Sequence, residues 1–257
     1  MARIISVVNQ KGGVGKTTTT VNLAAWLKEF GYKVLIVDID PQGNASSGLG
    51  INPKELSKGI YEVLVDPNVR IGEVIKSHQT NFHVAPSTPD LAGAAVDLVE
   101  EENREYKLHE NLKEVADLYD FILIDNPPSL GLLTINGLVA AQEVLIPVQC
   151  EYYALEGLSQ LLNTIGLIRE HLKPDLKILG AVMTMYDSRN KLSNAVFQEL
   201  YKFFPERIFR SVIPRNVRMA EAPSHGLSIK DYDLESAGSK AYRRLAQEII
   251  WLNDKEK

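Results

Sequence analysis

Residues 4–18 read IISVVNQKGGVGKTT: a short β-branched run, a glycine-rich loop and two threonines. The stretch from Thr17 to Phe30 carries apolar residues at helical spacing, and Gly31 follows it as a helix stop signal. Another β-branched run begins at Val34. The opening of the chain therefore predicts a strand, a loop, a helix and a second strand, the repeating unit of a parallel α/β sheet.

The rest of the chain repeats this alternation of short apolar runs and longer helical stretches. The runs are continuously apolar, as strands buried on both faces require. The six candidate strands are Ile4–Val8, Val34–Val37, Phe82–Ala85, Phe121–Ile124, Val144–Val148 and Ile178–Met183. No internal repeat or Ser/Gly-rich linker appears in the 257 residues. We expect one α/β domain over residues 1–257, with a mostly parallel twisted central sheet flanked by helices.

Composition narrows the class of protein. Hydrophobic residues make up 45% and charged residues 24% of the chain, as in a folded globular domain. The single cysteine, Cys150, indicates a reducing compartment and excludes a multi-cysteine cluster. No stretch approaches the roughly 18 apolar residues of a membrane span, and the N-terminal apolar run is too short for a signal peptide. We expect a cytoplasmic protein that does not bind membranes.

Two helical segments lie outside the predicted strands. We expect a C-terminal helix over about residues 237–252 to dock on the core of the domain, because one helical face is apolar. That face holds Tyr242, Leu245, Ala246, Ile249 and Ile250. The segment Asp97–Asp120 holds nine acids and three bases, and we interpret it as solvated surface helices.

The loop KGGVGKTT at residues 11–18 lies between a predicted strand and a predicted helix, the position of a nucleotide-binding P-loop. Its glycines let backbone N–H groups point at phosphate oxygens, and the helix adds its positive dipole end. We expect Lys16 to reach the β- and γ-phosphates, Thr17 to bind Mg²⁺ and Thr18 to lie near the α-phosphate. The expected nucleotide-binding residues of this P-loop NTPase are Lys11, Gly12, Gly13, Val14, Gly15, Lys16, Thr17 and Thr18.

Acidic residues follow two of the predicted strands. Asp38 and Asp40 follow the second one with two-residue spacing, at the carboxyl end of the sheet where ligands of such sheets bind. Asp125 ends a later apolar strand as a Walker B aspartate does, and we expect it to hold Mg²⁺ through water. A pair of solvated turn acids is the alternative interpretation of Asp38 and Asp40.

The loop departs from the common spacing G-x-x-x-x-G-K-[ST], which would place glycine where this chain has Gln10. It carries a second lysine, Lys11, and its K-G-G-x-G-K-[ST] form resembles the deviant Walker A loop of the ParA/MinD group of P-loop ATPases. The nitrogenase iron protein belongs to that group, but its cluster needs cysteines that this chain lacks. In the family the early lysine reaches across a dimer interface to the partner's nucleotide, and Gly12 lets the facing loops approach closely.

Four further stretches are similar to the Soj branch of chromosomal ParA proteins, over roughly residues 3–233. They are Asp40–Ala45, Pro127–Gly131, Gln149–Gly157 and Ile213–Asn216. The resemblance implies ATP and Mg²⁺ as cofactors, and a catalytic set of Lys11, Lys16 and Asp40. In that set, Asp40 positions or activates the attacking water.

The resemblance also implies further ligand contacts. Asp38 supports the metal or a switch loop, so that the metal set is Thr17, Asp38 and Asp125. Pro214 and Asn216, in a loop over residues 213–216, contact the adenine ring. A plain β-turn is the alternative for that loop.

For the whole protein the resemblance implies an ATPase that is slow without a partner. ATP binding forms a sandwich homodimer, and the dimer binds double-stranded DNA of the nucleoid without sequence preference. A ParB-type centromere-binding protein then stimulates hydrolysis and release, which drives segregation of a chromosome or plasmid. The alternative is a MinD-like ATP-gated switch that acts on a membrane or on a protein partner.

The charge distribution bears on DNA binding. The chain has a net charge of −5, but residues 189–218 hold seven bases and two acids. These are Arg189, Lys191, Lys202, Arg207, Arg210, Arg215 and Arg218, with Glu199 and Glu206. Local charge decides phosphate attraction because salt screens charges beyond roughly 8 Å. In Soj-like proteins arginines matching Arg189 and Arg218 are associated with DNA, and Arg215 would supplement them; a solvated face, with one base paired to Glu221, is the alternative.

Overall fold

The computed structural model describes residues 2–150, 154–187, 189–190, 196, 198–202, 204 and 207–255. Of the residues discussed above, Lys191 and Glu206 lie outside the described residues, as do Glu151, Tyr152 and Tyr153 of the stretch Gln149–Gly157. The account that follows concerns the described residues.

Short apolar runs form the strands, and in the described part of the chain eight of them make one sheet. They are β1 (Arg3–Val7), β2 (Val34–Asp38), β3 (Lys76–Gln79), β4 (Phe82–Ala85), β5 (Phe121–Asp125), β6 (Glu143–Gln149), β7 (Lys177–Tyr186) and β8 (Ile208–Pro214). The order across the sheet is β3-β4-β2-β5-β1-β6-β7-β8, and every neighbouring pair is parallel except β3 and β4. The prediction of a mostly parallel α/β sheet is confirmed.

Helices cover both faces of this sheet. They are α1 (Lys16–Glu29), α2 (Asn44–Gly48), α3 (Ile60–Val65), α4 (Ile71–Val74), α5 (Ala94–Asp97), α6 (Lys107–Lys113), α7 (Leu132–Ala140), α8 (Ala154–His171), α9 (Val217–Glu221), α10 (Ile229–Tyr232) and α11 (Ala237–Lys255). Successive strand residues point into opposite layers, so Ile4 packs with the layer of α6, α7 and α8, and Ile5 with that of α1 and α11. The central strands are therefore buried on both faces, and most of their residues are apolar.

Two strands lie outside the six predicted ones, and both are at edges of the sheet. β3 is polar and half exposed, and it pairs with β4 alone. In β8 the exposed Arg210 and the polar Ser211 interrupt the apolar run, and the pairing with β7 shifts register. An edge strand lacks the continuous apolar signal because one side of it is open. The interpretation of residues 213–216 as a loop is wrong for Ile213 and Pro214, which end β8.

The acidic segment Asp97–Asp120 differs from the expected solvated surface. Leu98, Leu108, Leu112 and Val115 are each 5% exposed or less and belong to the core. α6 packs against α7 along this apolar side. The number of acidic residues reflects only the solvent-facing side of such a segment. It gives no information on the leucines that point into the core.

The C-terminal helix α11 packs against α1 and β8. Tyr242, Leu245 and Ile249 are buried on its inner face. The Tyr242 hydroxyl is 3.1 Å from Thr19 Oγ1 of α1, within hydrogen-bond distance. Among the described helices, none has both the length and the apolarity that crossing a membrane requires.

A buried ion pair connects this helix to the sheet. Arg3 Nε and Nη2 of β1 donate to the Glu143 carboxylate of β6 at 2.5 and 2.9 Å. Arg3 Nη1 also donates to the carbonyl oxygen of Ile249 at 2.8 Å. The two charged side chains are 10% and 8% exposed. One guanidinium therefore holds two central strands and α11 together.

We predict that Arg3→Met lowers the free energy of unfolding by about 3 kcal/mol, because it leaves the Glu143 carboxylate buried without its cation. Replacing both residues, as Arg3→Met with Glu143→Leu, should restore most of the loss. Arg70→Met is the comparison, because it breaks an exposed ion pair in which Arg70 is 65% and Glu114 is 36% exposed. This substitution should change the free energy of unfolding by about 1 kcal/mol or less. Denaturant unfolding measures all three, and equal effects of Arg3→Met and Arg70→Met would contradict the role given to Arg3.

Candidate nucleotide-binding site

A cavity of about 620 Å³ opens at the carboxyl ends of the central strands, beside the loop between β1 and α1. Sequence-predicted residues that line it are Gly12, Gly13, Gly15, Lys16, Thr17, Thr18 and Asp40. Lining residues that the sequence did not indicate are Gln42, Asn44, Ser47, Gly48, Pro128, Met185, Pro223 and Ser224. Five of these residues lie within eight positions of Asp40 or Asp125, and only Met185, Pro223 and Ser224 come from distant segments that the fold brings to the site.

The backbone of the loop needs glycine at two positions. Gly13 and Gly15 have φ of 73° and 89°, in the left-handed region that other residues rarely adopt. Gly12 is different, because a side chain there would meet nothing within 4 Å in its own chain. Thr184 Oγ1 of β7 donates to the Val14 carbonyl oxygen at 2.8 Å and fixes the middle of the loop.

Lys16 is the first residue of α1 and is 6% exposed. Its Nζ donates to the Lys11 carbonyl oxygen at 3.2 Å, so the side chain curls back over the loop. Burial lowers the pKa of Lys16, while Asp125 and Asp40 oppose that shift. A buried ammonium at a helix N-terminus is suited to bind an anion.

The first turns of α1 are joined to the end of β5. Thr17 Oγ1 donates to Asp125 Oδ2 at 2.7 Å, and Thr20 Oγ1 donates to Asp125 Oδ1 at 2.9 Å. Burial raises the pKa of Asp125 to about 8, and the nearby Asp38 adds to the shift. The fold thus brings together Thr17 and Asp125, two of the three predicted metal residues. Thr20 was missed, although it lies three residues after Thr17, on the same helix face.

Asp38 is fully buried beside Asp125 in the register of β2 and β5. Asp38 Oδ2 accepts from Ser46 N at 2.8 Å and Ser46 Oγ at 2.7 Å, and Asp38 Oδ1 accepts from Asp40 N at 3.2 Å. Burial raises the pKa of Asp38 to about 6 against the hydrogen bonds from Ser46. Of the two roles considered for Asp38, these contacts favour support of the loop that carries Asp40.

Asp40 and the predicted adenine residues occupy different surroundings. Asp40 lines the cavity, and its Oδ1 accepts from Gln42 N at 3.0 Å. Pro214 ends β8, and Asn216 Oδ1 accepts from Arg218 N at 2.9 Å, which caps α9. The adenine contacts of Pro214 and Asn216 stay a prediction.

The three arginines predicted to bind DNA are exposed. Arg189 forms a two-fold contact with the Asp187 carboxylate at 2.8 and 3.0 Å, which lowers the pKa of Asp187 to about 2. Arg218 pairs with Glu221 at 2.9 Å, the pairing that was considered as an alternative. Arg215 N donates to the Tyr186 carbonyl oxygen at 3.2 Å, at the end of β7.

Comparison with known proteins identifies the family. A family model described as an AAA domain matches residues 2–178. The sporulation initiation inhibitor protein Soj of Bacillus subtilis is 53% identical over 250 residues, which are 97% of this chain and 98% of that protein. The chain belongs to the Soj/ParA family. The chromosome partitioning protein ParA of Myxococcus xanthus is 50% identical over 97% of this chain and 88% of its own.

Solved structures share the fold of this Soj/ParA-family chain. Cobyrinic acid a,c-diamide synthase of Mycobacterium smegmatis, with bound ATP analogue and magnesium, is 36% identical with a TM-score of 0.89, covering 100% of this chain and 98% of its own. The septum site-determining protein MinD of Pyrococcus horikoshii, complexed with Mg-ADP, is 29% identical with a TM-score of 0.79, covering 100% and 99%. Adenine nucleotide and magnesium are thus bound in solved structures of this fold.

We predict that the unfolding temperature of the nucleotide-free protein falls as the pH rises from about 6 to 9. The folded state holds a proton on Asp125 more tightly than the unfolded chain does, so this stability is lost as the pH passes through the raised pKa. Asp125→Asn should flatten the dependence, because an uncharged amide replaces the buried carboxylate. Thermal unfolding across this pH range tests the prediction, with Asp90→Asn at an exposed position as the control. A pH dependence of the unfolding temperature in Asp125→Asn as steep as in the unsubstituted protein would contradict the prediction.

Proposed function

We propose that this chain, as one ATPase domain over residues 1–257, is a cytoplasmic, nucleoid-associated DNA-partitioning ATPase. In this proposal ATP closes a sandwich homodimer that binds double-stranded DNA without sequence preference. A ParB-type centromere-binding protein then stimulates hydrolysis and release, which drives chromosome or plasmid segregation. The observation that carries the proposal is the K-G-G-x-G-K loop, with its Thr17–Asp125 contact, in a chain 53% identical to Soj.

The residues of the cavity divide the work of hydrolysis. Lys16 and the backbone N–H groups of the loop neutralise and orient the phosphates. Thr17 and Asp125 would hold Mg²⁺, which when bound neutralises charge on the phosphate oxygens. The remaining ligands of such an ion would come from substrate phosphates and water. Asp40 positions the attacking water.

The dimer explains Lys11 and Gly12. Two nucleotides enclosed between two chains bring phosphate charge to the interface, and Lys11 of each chain neutralises the charge on the other side. Gly12 is not required by contacts within its own chain, since the space around it is open. The open space supports a role for Gly12 in the approach of a second loop.

The DNA surface consists of Arg189, Arg215 and Arg218. The carboxylates that pair with Arg189 and Arg218 are exposed enough to give weak pairs, so phosphate can replace them. Contacts to phosphates carry no sequence information, and their strength falls steeply with salt. The segment therefore attracts DNA although the whole chain is acidic.

The MinD-like switch is the second candidate function. The structural likeness to MinD of Pyrococcus horikoshii supports this candidate, because this chain and that MinD share one fold. In the partitioning function ATP enables binding to DNA, whereas in the switch function ATP enables binding to a membrane or to a protein partner. Co-sedimentation with liposomes in the presence of ATP would favour the switch, and binding to random-sequence DNA would favour partitioning.

We predict that Asp40→Ala protein retains ATP and the dimer, loses hydrolysis, and binds random-sequence duplex DNA with ATP but not with ADP. Six arginines of a dimer predict a log–log salt slope of about −5. Filter binding or fluorescence anisotropy across a salt series measures the DNA affinity and its salt slope. The ADP-bound and the nucleotide-free protein are the controls. Normal hydrolysis by Asp40→Ala would remove Asp40 from its role, and DNA binding in every nucleotide state would contradict the ATP gate.

We predict that Arg218→Glu weakens DNA binding at least about tenfold and lowers the salt slope by about 2, because each dimer loses two phosphate contacts. ATP-dependent dimerisation should stay unchanged. Arg70→Glu is the matched control, since it makes the same charge change at an exposed arginine outside residues 189–218. Equal DNA affinities of the two variants would place the DNA surface elsewhere.

A further inference from the structure

The position where the common P-loop has glycine carries a side chain with defined partners. Gln10 Nε2 donates to the Gly157 carbonyl oxygen at 3.0 Å and to Gln160 Oε1 at 2.8 Å. Both acceptors lie in the first two turns of α8. The residue before Lys11 therefore joins the phosphate-binding loop to a helix more than 140 positions along the chain.

Asn9, on the other side of Gln10, makes a second connection. Asn9 Nδ2 donates to the Pro147 carbonyl oxygen of β6 at 2.8 Å, and Asn9 Oδ1 accepts from Lys11 N at 3.0 Å. The Lys11 carbonyl oxygen in turn accepts from Lys16 Nζ. The backbone of Lys11 is thus held from β6 through Asn9 and from α8 through Gln10.

The Gln10 connection lies on the open side of the loop. Gln10, Lys11, Pro128, Leu130, Gly157 and Gln160 line part of a shallow cavity of about 450 Å³. Pro128 also lines the nucleotide cavity, so the two spaces adjoin. Lys11, which the proposed dimer directs to a second copy of the chain, lines this second cavity together with Gln10.

We propose that Gln10 is a positioning residue that couples α8 to Lys11. Its amide fixes the start of the loop against α8, and Lys11 is then presented to a second copy of the chain in one arrangement. Preorganisation of this kind strengthens association because fewer conformations are lost on binding. The inference rests on the proposed ATP-dependent dimer and assigns a function to the one position at which the loop departs from the common spacing.

The test compares nucleotide binding with dimer formation in the full-length protein. Gln10→Ala should leave the affinity for Mg-AMP-PNP at low protein concentration within about twofold, since Gln10 does not line the nucleotide cavity. The sedimentation-derived dimer Kd with Mg-AMP-PNP should rise about three- to tenfold, the effect expected for one or two lost hydrogen bonds.

A charge exchange tests the contact itself. Gln10→Glu keeps the size of the side chain but turns a carboxylate toward two oxygen acceptors, so the dimer should weaken at least as much as in Gln10→Ala. Gln160→Lys in the same protein supplies an ammonium and should restore most of the association. Failure of this rescue, together with a fall in unfolding temperature that accounts for the weaker dimer, would reduce Gln10 to a structural role and overturn the proposal.

Two glycines of α8 give a matched control that leaves Gln10 in place. A Cβ at Gly157 would lie 3.4 Å from Gln10 Nε2, whereas a Cβ at Gly166 would meet nothing within 4 Å. A Cβ at Gly157 alone makes ordinary van der Waals contact with Gln10, but the longer side chain of Gly157→Leu would displace the Gln10 amide. Gly157→Leu should therefore weaken the dimer and Gly166→Leu should not, although both favour the helix. Equal dimer constants in the two variants would contradict the coupling.

Lys11→Ala separates this inference from the function on which it rests. If Lys11→Ala leaves the AMP-PNP-dependent dimer intact, the proposed cross-dimer contact is wrong. If Lys11→Ala abolishes the dimer while Gln10→Ala and Gly157→Leu do not change it, only the role of Gln10 is wrong.

Discussion

The buried carboxylate of Asp125 is the contact on which the site depends. It accepts from Thr17 and Thr20 and thereby sets α1 against the end of β5. An isolated buried carboxylate is unfavourable, and the raised pKa of Asp125 records that penalty. A cation at this position would relieve the penalty, so the fold gives up stability in the nucleotide-free protein for an arrangement that suits a metal–nucleotide complex.

The second buried carboxylate, Asp38, has a different effect because its partners are backbone and hydroxyl groups. One oxygen holds the N–H of Asp40 and the other holds Ser46, whose Oγ accepts from Ser87 N at 3.1 Å. Both ends of the segment from Asp40 to Ser46 are thus attached to one side chain at the end of β2. Asp40 can face the cavity in a fixed direction although it lies in a loop.

The sequence predicted the centre of the molecule better than its edges. Strands such as β2 and β5 are buried on both faces, so their apolar runs identify them, and the loop, Thr17 and Asp125 follow from motif spacing. β3 and β8 lack that signal because one side of each is open. Met185 and Pro223 reach the cavity only through the chain's path across the sheet, which no local pattern encodes.

The same distinction separates the nucleotide site from the surfaces that face partners. Phosphate recognition uses backbone N–H groups and a helix N-terminus, so a short motif is enough to specify it. The proposed recognition of DNA or of a second chain would use exposed side chains whose present partners, such as Asp187 for Arg189, belong to the same chain. On DNA binding, phosphate groups would replace these carboxylate partners. The net binding energy is then the small difference between two sets of weak ion pairs. Gln10 belongs to both cases, because its partners lie within the chain while the proposed role of the neighbouring Lys11 is contact with a second chain.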